Sequence, residues 1–384
     1  MVTAGTVLLV APAAQAAFPG PDGVIVFHGA PPSTHWCRRH GQQLLAVEPG
    51  VHGVVVLTCA PGEAEHPSVS PDGSLVVLSS GTGSGLPQLF TLPLGTPPHH
   101  APPAATLVSD DSGAGDTDPS WSPVDDGTIV FVRTLPGGLP QLFTENVHSP
   151  SSAAPLFGAP TGTADTEPVY DPFDPDVLVF VREVSGHTHI FSYDIADHVL
   201  TDLSAQGDGG GRADDAAPDF EPVATGGRIV FESDRACGAL QLYTMTLQGT
   251  EQRPVFTSTR RRHGPRQLCT GTEQDPAYSP QGDALTFLAN GQRRGCGQQV
   301  FVVSVDTNGD AAGPVTAVVG AGRTDFIDHE GQPNWGPAVD PPAQTPETPL
   351  PVALPVVAVG MLGIVVLLQR RRRTGRGARH EGVR

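Results

Sequence analysis

An acidic residue recurs three positions before a proline that is itself repeated along the chain. The residues at this position are Asp116, Asp165, Asp215, Glu273 and Glu330, and a sixth repeat has Ala64 between two glutamates. Carboxylates gathered in one place would attract a cation or a basic peptide. Alternatively, each acid caps its own turn by accepting hydrogen bonds from backbone N–H groups. The regular recurrence favours the turn caps, because an asymmetric ligand rarely needs the same residue from every repeat.

Other residue types with chemical potential show no catalytic pattern. His35 and His40, and His187 and His189, could be metal ligands, but neither pair has the spacing of a zinc site, and we expect both in polar loops. The chain has no G-x-S-x-G, no H-E-x-x-H and no phosphate-binding glycine loop. We therefore predict no catalytic residue and no cofactor, and the five acids above are the candidate set for a metal or other cation.

The repeated proline belongs to the motif Pro-x-x-x-Pro, which occurs six times. Its first prolines are residues 67, 119, 168, 218, 276 and 333, at intervals of 49 to 58 residues. Short runs rich in β-branched and aromatic residues follow, such as 75–79, 128–133 and 177–182, separated by Gly, Pro, Asp and Ser, and they predict strands. The heptapeptide GLPQLFT occurs at 85–91 and again at 138–144. Four antiparallel strands per repeat of this length are typical of a propeller blade.

The two ends of the repeat region predict how the ring closes. The segment 18–27 reads as a turn and a second strand, whereas 333–337 reads as a first strand with nothing after it. Placing the C-terminal strand innermost in the N-terminal blade leaves no open sheet edge. The fold class we predict is all-β: a six-bladed β-propeller over residues 18–338, closed by pairing of the N- and C-terminal strands.

The recurring motifs resemble those of the TolB-like six-bladed β-propeller family. The residues that carry the resemblance are Ser70-Pro71-Asp72-Gly73, Trp121-Ser122-Pro123, the run from Ile229 to Arg235, Gln241-Leu242-Tyr243 and Tyr278-Ser279-Pro280. The resemblance implies the propeller fold, but propellers serve in binding, scaffolding and catalysis alike. Nothing resembles the N-terminal partner-binding domain of TolB, so its transport role is not implied.

Five cysteines in a chain with export signals predict disulfides with one thiol left over. Cys37 and Cys59 occupy, in the first blade, the loop and strand end that Cys237 and Cys269 occupy in the fifth. We expect the pairs Cys37–Cys59 and Cys237–Cys269, with Cys296 free. The pair Cys269–Cys296 is the chief alternative.

Residues 1–17 predict a secretory signal peptide. A short apolar stretch precedes Ala14-Gln15-Ala16, which matches the A-x-A pattern of signal-peptidase sites. Cleavage is expected after Ala16 or Ala17. The alternative is that this segment forms a buried first strand of the fold.

The C-terminal region predicts a membrane anchor. Residues 339–351 form a Pro-rich spacer, Val352 to Leu368 carry no charge, and the tail 369–384 begins with four arginines after Gln369. Seventeen apolar residues lie at the short end of what crosses a bilayer, and the arginines place the tail in the cytoplasm. A sortase signal is the lesser alternative, because the Thr-Gly of LPxTG is missing from 350–354.

The charge distribution limits the partners. The chain has a net charge of −18, and all 22 of its basic residues are arginines, seven of them in the last 15 positions. The acidic body would repel nucleic acid. We expect a monomeric, non-enzymatic binding or scaffold propeller on the extracytoplasmic side of a bacterial cell membrane, with a cell-envelope protein or glycan as its partner. A hydrolase or lyase using acids at the channel mouth is the alternative.

Overall fold

The structure is a computed structural model. It describes residues 17–339, except 31–40, 51–52, 60–61, 82–84, 95–103, 110–112, 125–126, 151–152, 159–161, 208–211, 237, 257–271, 291–297 and 319–327. Residues 1–16 and 340–384 lie outside this description, so the predicted signal peptide apart from Ala17, and the spacer, anchor and tail, stay predictions. Among the described residues, no helix is long and apolar enough to span a bilayer.

The described residues form six four-stranded antiparallel sheets, one per predicted blade. Blade 1 consists of β1 (Asp22–Ala30), β2 (Gln43–Val47), β3 (Val55–Val56) and β24 (Asp328–Pro337). Blade 2 consists of β4 (Ala64–Val69), β5 (Leu75–Gly81), β6 (Pro87–Pro93) and β7 (Thr106–Leu107), and blade 3 of β8 (Gly115–Trp121), β9 (Thr128–Thr134), β10 (Gln141–Asn146) and β11 (Ala154–Pro155). Blade 4 consists of β12 (Asp165–Tyr170), β13 (Val177–Val184), β14 (His187–Asp194) and β15 (Val199–Asp202). Blade 5 consists of β16 (Asp215–Phe220), β17 (Arg228–Ser233), β18 (Gln241–Thr246) and β19 (Arg253–Pro254), and blade 6 of β20 (Glu273–Tyr278), β21 (Ala284–Asn290), β22 (Gln298–Ser304) and β23 (Thr316–Ala317).

The C-terminal strand closes the ring as predicted. Strand β24 pairs antiparallel with β1, and Trp335 lies opposite Ile25 in the register. The innermost strands contact one another in circular order, so that β20 contacts β24 and β24 contacts β4. The chain therefore forms a closed six-bladed propeller, and its inner strands line the central axis.

The apolar core lies between adjacent blades. The second strands are rich in β-branched and aromatic residues, and all six residues of β17 are buried, because blades cover both faces of such a strand. Between blades 3 and 4, for example, Val130 and Leu142 pack in one cluster with Tyr170 and Phe180. Burial of this kind is the main stabilising contribution to the ring.

The Ser-Pro-Asp-Gly turn shows why its residue types recur. The Ser70 hydroxyl donates to Asp72 at 2.6 Å, and Asp72 also accepts from the Ser74 backbone N–H at 2.9 Å. Gly73 has a φ of +71°, and a Cβ there would lie 2.3 Å from the carbonyl oxygen of Pro337. Glycine at this position therefore lets the end of the closing strand approach the blade 2 turn.

Candidate functional site

The residue immediately before the first proline of each repeat has a left-handed backbone conformation. These six residues, which we call the bulge ring, have φ between +48° and +54°: His66, Asp118, Glu167, Ala217, Asp275 and Gln332. Each lies where the pairing of its innermost strand with the second strand shifts register. A β-bulge in every blade therefore re-aims one residue of each inner strand.

Side chains of the bulge ring bond to the backbone of the next blade. The Gln332 Oε1 atom of blade 1 accepts from the His66 backbone N–H of blade 2 at 2.8 Å. In the same way, Glu167 Oε2 of blade 4 accepts from the Ala217 N–H of blade 5 at 2.6 Å. The bulge leaves these N–H groups outside the strand ladder, and the neighbouring side chain satisfies them.

Blade 5 has alanine in the bulge ring, and a residue of its second strand takes over the acceptor role. The Glu232 Oε2 atom accepts from the Asp275 backbone N–H of blade 6 at 3.1 Å. Glu232 lies opposite Ala216, next to Ala217, in the strand register. The bulge ring and Glu232 together place four carboxyl groups at the inner strands: those of Asp118, Glu167, Glu232 and Asp275.

Two histidines complete this polar cluster. The Nε2 atom of His66 lies 2.9 Å from Asp118 Oδ1 in the next blade, and His28 of β1 bonds to Gln332 through Nδ1 at 3.0 Å. Burial alone would lower the pKa of His66, but the carboxylate of Asp118 outweighs that effect, and the pKa is raised. Burial and the neighbouring His66 lower the pKa of His28 to about 4. The two imidazoles are thus tuned in opposite directions.

Three of the four carboxyl groups hold protons more strongly than usual. Burial raises the pKa of Glu232 to about 7, and it raises those of Glu167 and Asp275 well above their usual range, with repulsion from neighbouring carboxyls adding to the effect. Their residues are at most 2% exposed, and the carboxyl group of Asp275 accepts a hydrogen bond from the Gln332 backbone in the next blade. Within the described residues, no three acidic, histidine or cysteine side chains are arranged to hold a metal ion.

The acids predicted from the sequence lie at the start of the innermost strands, two residues before the bulge ring. Asp116 accepts from Arg133 at 2.7 and 2.8 Å through both carboxyl oxygens. Asp165 is bound in the same way by Arg182, and Asp215 accepts from Arg235. The partner in these three blades is thus an arginine from the end of the second strand or just beyond it, which sequence analysis did not assign.

These arginines also cover aromatic rings of their own blades. The guanidinium carbon of Arg133 lies 5.2 Å from the centroid of Phe131, and that of Arg235 lies 4.8 Å from Tyr243. The ion pairs and the cation–π contacts hold the arginine side chains against the strands of their own blades.

Two of the predicted acids remain. Glu273 is partly buried at the start of β20, opposite Ala289. Glu330 lies in β24, and its side chain is outside the described part of the structure.

The remaining sequence candidates have varied placements. His187 and His189 begin β14, so the expected polar loop was wrong for this pair, and buried His189 bonds to Asp202 at 2.8 Å. Of the five cysteines, the described part contains Cys59, which is disulfide-bonded. Cys37, Cys237, Cys269 and Cys296 lie outside the described residues, as do His35 and His40, so the predicted pairings stay predictions.

No family model and no curated protein sequence matches the chain. Its fold is similar to that of TolB from Acinetobacter baumannii, with a TM-score of 0.60 at 16% identity over 83% of this chain and 68% of that one. A protein assigned as TolB in Agrobacterium tumefaciens gives 0.53 at 17% identity, covering 77% and 88% of the two chains. Hydrazine synthase from Kuenenia stuttgartiensis gives 0.57 at 12% identity, covering 83% of this chain and 47% of that one. The chain therefore has a TolB-like six-bladed propeller fold.

Proposed function

We propose that the chain is a non-enzymatic binding propeller, exported and anchored in the cell membrane, that holds a cell-envelope protein on one face. The observation that carries the proposal is the exposure of three leucines in equivalent loops of neighbouring blades. Leu86 precedes β6 of blade 2, and Leu135 and Leu139 lie between β9 and β10 of blade 3. We call these three residues the leucine face.

The leucine face has the properties of a protein-binding patch. Its residues are 50 to 52% exposed, and loops between second and third strands leave a propeller on one side. Leu86 also borders the next blade, since a Cβ added at Gly115 would lie 3.9 Å from the Cβ of Leu86. Apolar side chains grouped on a surface are typical of protein contacts, and aliphatic ones favour a protein over a glycan.

Export and anchoring rest on the two end segments of the sequence. The signal at 1–17, the apolar segment from Val352 to Leu368 and the arginine-rich tail would place the propeller outside the membrane. The disulfide at Cys59 supports this location, because disulfides persist in oxidising compartments. Carbonate-resistant membrane association of the full chain, with the propeller cleaved by protease added outside the cell, would test it.

The binding role is tested by in-cell cross-linking of the full chain, followed by mass spectrometry of the captured proteins. The double variant Leu86→Ser, Leu139→Ser should lose at least tenfold of the principal captured protein. Leu200→Ser is the matched control, because Leu200 is 41% exposed on an outer strand of blade 4, and capture should not change. Equal capture by the wild type and the double variant would contradict the leucine face, and glycan in place of protein would contradict the partner class.

The alternative of catalysis at the channel would use the carboxyl groups around the bulge ring. Groups with altered pKa values often mark active sites, but Glu167 and Asp275 are 2% and 1% exposed. A substrate would have to displace the cross-blade bonds to reach them. Surface binding therefore has the better support.

A further inference from the structure

The first described residues of the chain are buried, although the predicted signal peptide ends there. Ala17 is 0% exposed and Phe18 is 2% exposed. Ala17 packs in one apolar cluster with Val230 of blade 5 and Tyr278 of blade 6. Ala17 is therefore fixed at the junction of these two blades.

A buried carboxyl group lies at the same junction. Asp219 of β16 is 0% exposed, and its Oδ2 atom accepts from the Tyr278 backbone N–H at 2.6 Å. Its Oδ1 atom has no hydrogen-bond partner. Burial raises the pKa of Asp219 well above its usual range, although hydrogen bonds from the backbone N–H groups of Tyr278, Phe220 and Ala17 act in the opposite direction.

Asp219 has no cationic partner within the described part of the chain. A buried carboxylate without one is costly, so such groups are normally paired or protonated. The equivalent position of blade 1, the residue after the first proline, is Asn334. Its Oδ1 atom accepts the corresponding bond from the Val69 N–H at 2.9 Å. The neutral amide of Asn334 is therefore enough to accept this hydrogen bond between blades, and the bond from Tyr278 does not require a negative charge on Asp219.

We propose that signal peptidase cleaves after Ala16, and that the new α-ammonium group of Ala17 forms a buried ion pair with Asp219. Hydrolysis adds water across the Ala16–Ala17 peptide bond, leaving a carboxylate on the released peptide and the ammonium group on Ala17. This inference rests on the proposed export. Cleavage after Ala17, the other site that the sequence allows, would remove a residue that is packed in the core.

The geometry fits an ammonium group better than an amide. In the unprocessed chain the Ala17 nitrogen offers one N–H, whereas after cleavage it offers three donors and a positive charge at the same place. A charge-assisted bond to the Asp219 carboxyl group keeps the carboxylate ionised. Processing would thus strengthen the junction of blades 5 and 6.

The cleavage site is tested by mass spectrometry of the N-terminal peptide of the full chain purified from membranes. The expected first residue is Ala17. A chain that is cleaved and starts at Phe18, or at any residue other than Ala17, would overturn this inference and leave export intact. An unprocessed chain starting at Met1 would overturn both.

The ion pair is tested with an amine-acetylating reagent. The sequence contains no lysine, so the α-amino group is the single primary amine of the mature protein. In the folded wild type this amine should react at least tenfold more slowly than in urea. Equal rates in the folded and unfolded chains would overturn the proposal.

Asp219→Asn removes the charge and keeps an acceptor for Tyr278, as Asn334 does in blade 1. The α-amino group of Asp219→Asn should react at least tenfold faster than that of the wild type, whereas Asp72→Asn, at an exposed turn of blade 2, should leave protection unchanged. Equal protection in wild type and Asp219→Asn would contradict the pair. If Asp219→Asn does not fold, wild type acetylated in urea and then refolded provides the second measurement. Its folding equilibrium constant should fall roughly a hundredfold, and no change would overturn the proposal.

Discussion

His66 of blade 2 and Asp118 of blade 3 form an ion pair across the blade boundary, with Nε2 and Oδ1 2.9 Å apart. Both residues occupy the position before the first proline of their repeats, and both have φ near +50°. The bulge that breaks the strand pairing of each blade thus creates a contact between blades. The bulges thereby bring titratable side chains of adjacent inner strands close enough to change each other's pKa values.

Asp118→Asn should lower the pKa of His66, because the carboxylate that favours the imidazolium is removed while burial remains. NMR titration of the His66 ring gives the measurement. The wild-type pair contributes stability that is fully present below the unfolded histidine pKa of about 6.5 and is lost as pH rises through the raised value. Asp72→Asn is the control, and an unchanged His66 titration in Asp118→Asn would refute the pairing.

Glu232→Gln should stabilise the protein at pH 8 by about 2–3 kcal/mol and change little at pH 4.5. The pKa of Glu232 is raised from 4.5 to about 7, so the folded state binds a proton that the unfolded state releases, and stability falls as pH rises through this window. The glutamine oxygen can still accept from the Asp275 N–H. Urea unfolding at both pH values provides the measurement. Glu183→Gln, at an exposed site, is the matched control: its stability relative to the wild type should be the same at both pH values.

Arg182→Ala should destabilise the fold by about 3–5 kcal/mol, because it leaves the buried carboxyl of Asp165 without its bidentate partner. The double variant Asp165→Asn, Arg182→Met should recover part of this loss, since no charge is then buried alone. Denaturant unfolding of the two variants gives the comparison. A cost below 1 kcal/mol for Arg182→Ala would mean that the pair contributes no more than an ordinary surface ion pair.

Ala217→Gly should be neutral or stabilise the protein by up to about 1 kcal/mol. Ala217 has a φ of +49°, which costs an L-residue about 1–2 kcal/mol and costs glycine little. Ala216→Gly, one residue earlier in regular strand pairing, should instead destabilise by about 1 kcal/mol. Thermal unfolding of the two variants measures the two stability changes, and opposite signs would support the left-handed backbone at Ala217. Similar losses in both variants would contradict it.

The architecture could be predicted from the sequence because several patterns agree. The β-rich runs at 75–79, 128–133 and 177–182 lie within the second strands β5, β9 and β13. Closure could be inferred because 333–337 has the pattern of an innermost strand without followers. The same strand and turn pattern recurs in six repeats, so an uncertain strand assignment in one repeat is resolved by the others.

The bulge ring could not be predicted from residue types. Its members are His, Asp, Glu, Ala, Asp and Gln. His and Asp adopt positive φ more often than most residues, but Glu, Ala and Gln do not, so the residue types carry no consistent signal. The available signal was positional, since every member directly precedes the repeat proline. The partner of Asp116 was missed for a related reason: Arg133 ends a predicted strand, and only the strand register places the two residues opposite each other.

Closure by β24 has a consequence for the order in which the protein can be completed. The chain is synthesised from its N-terminus, so β1 exists as an unpaired sheet edge until residues 328–337 emerge, about 300 residues later. Throughout that interval blade 1 is a template for strand addition from any nearby chain. Pairing with β24 removes this open edge, so blade 1 is protected only after the last strand of the propeller has been made.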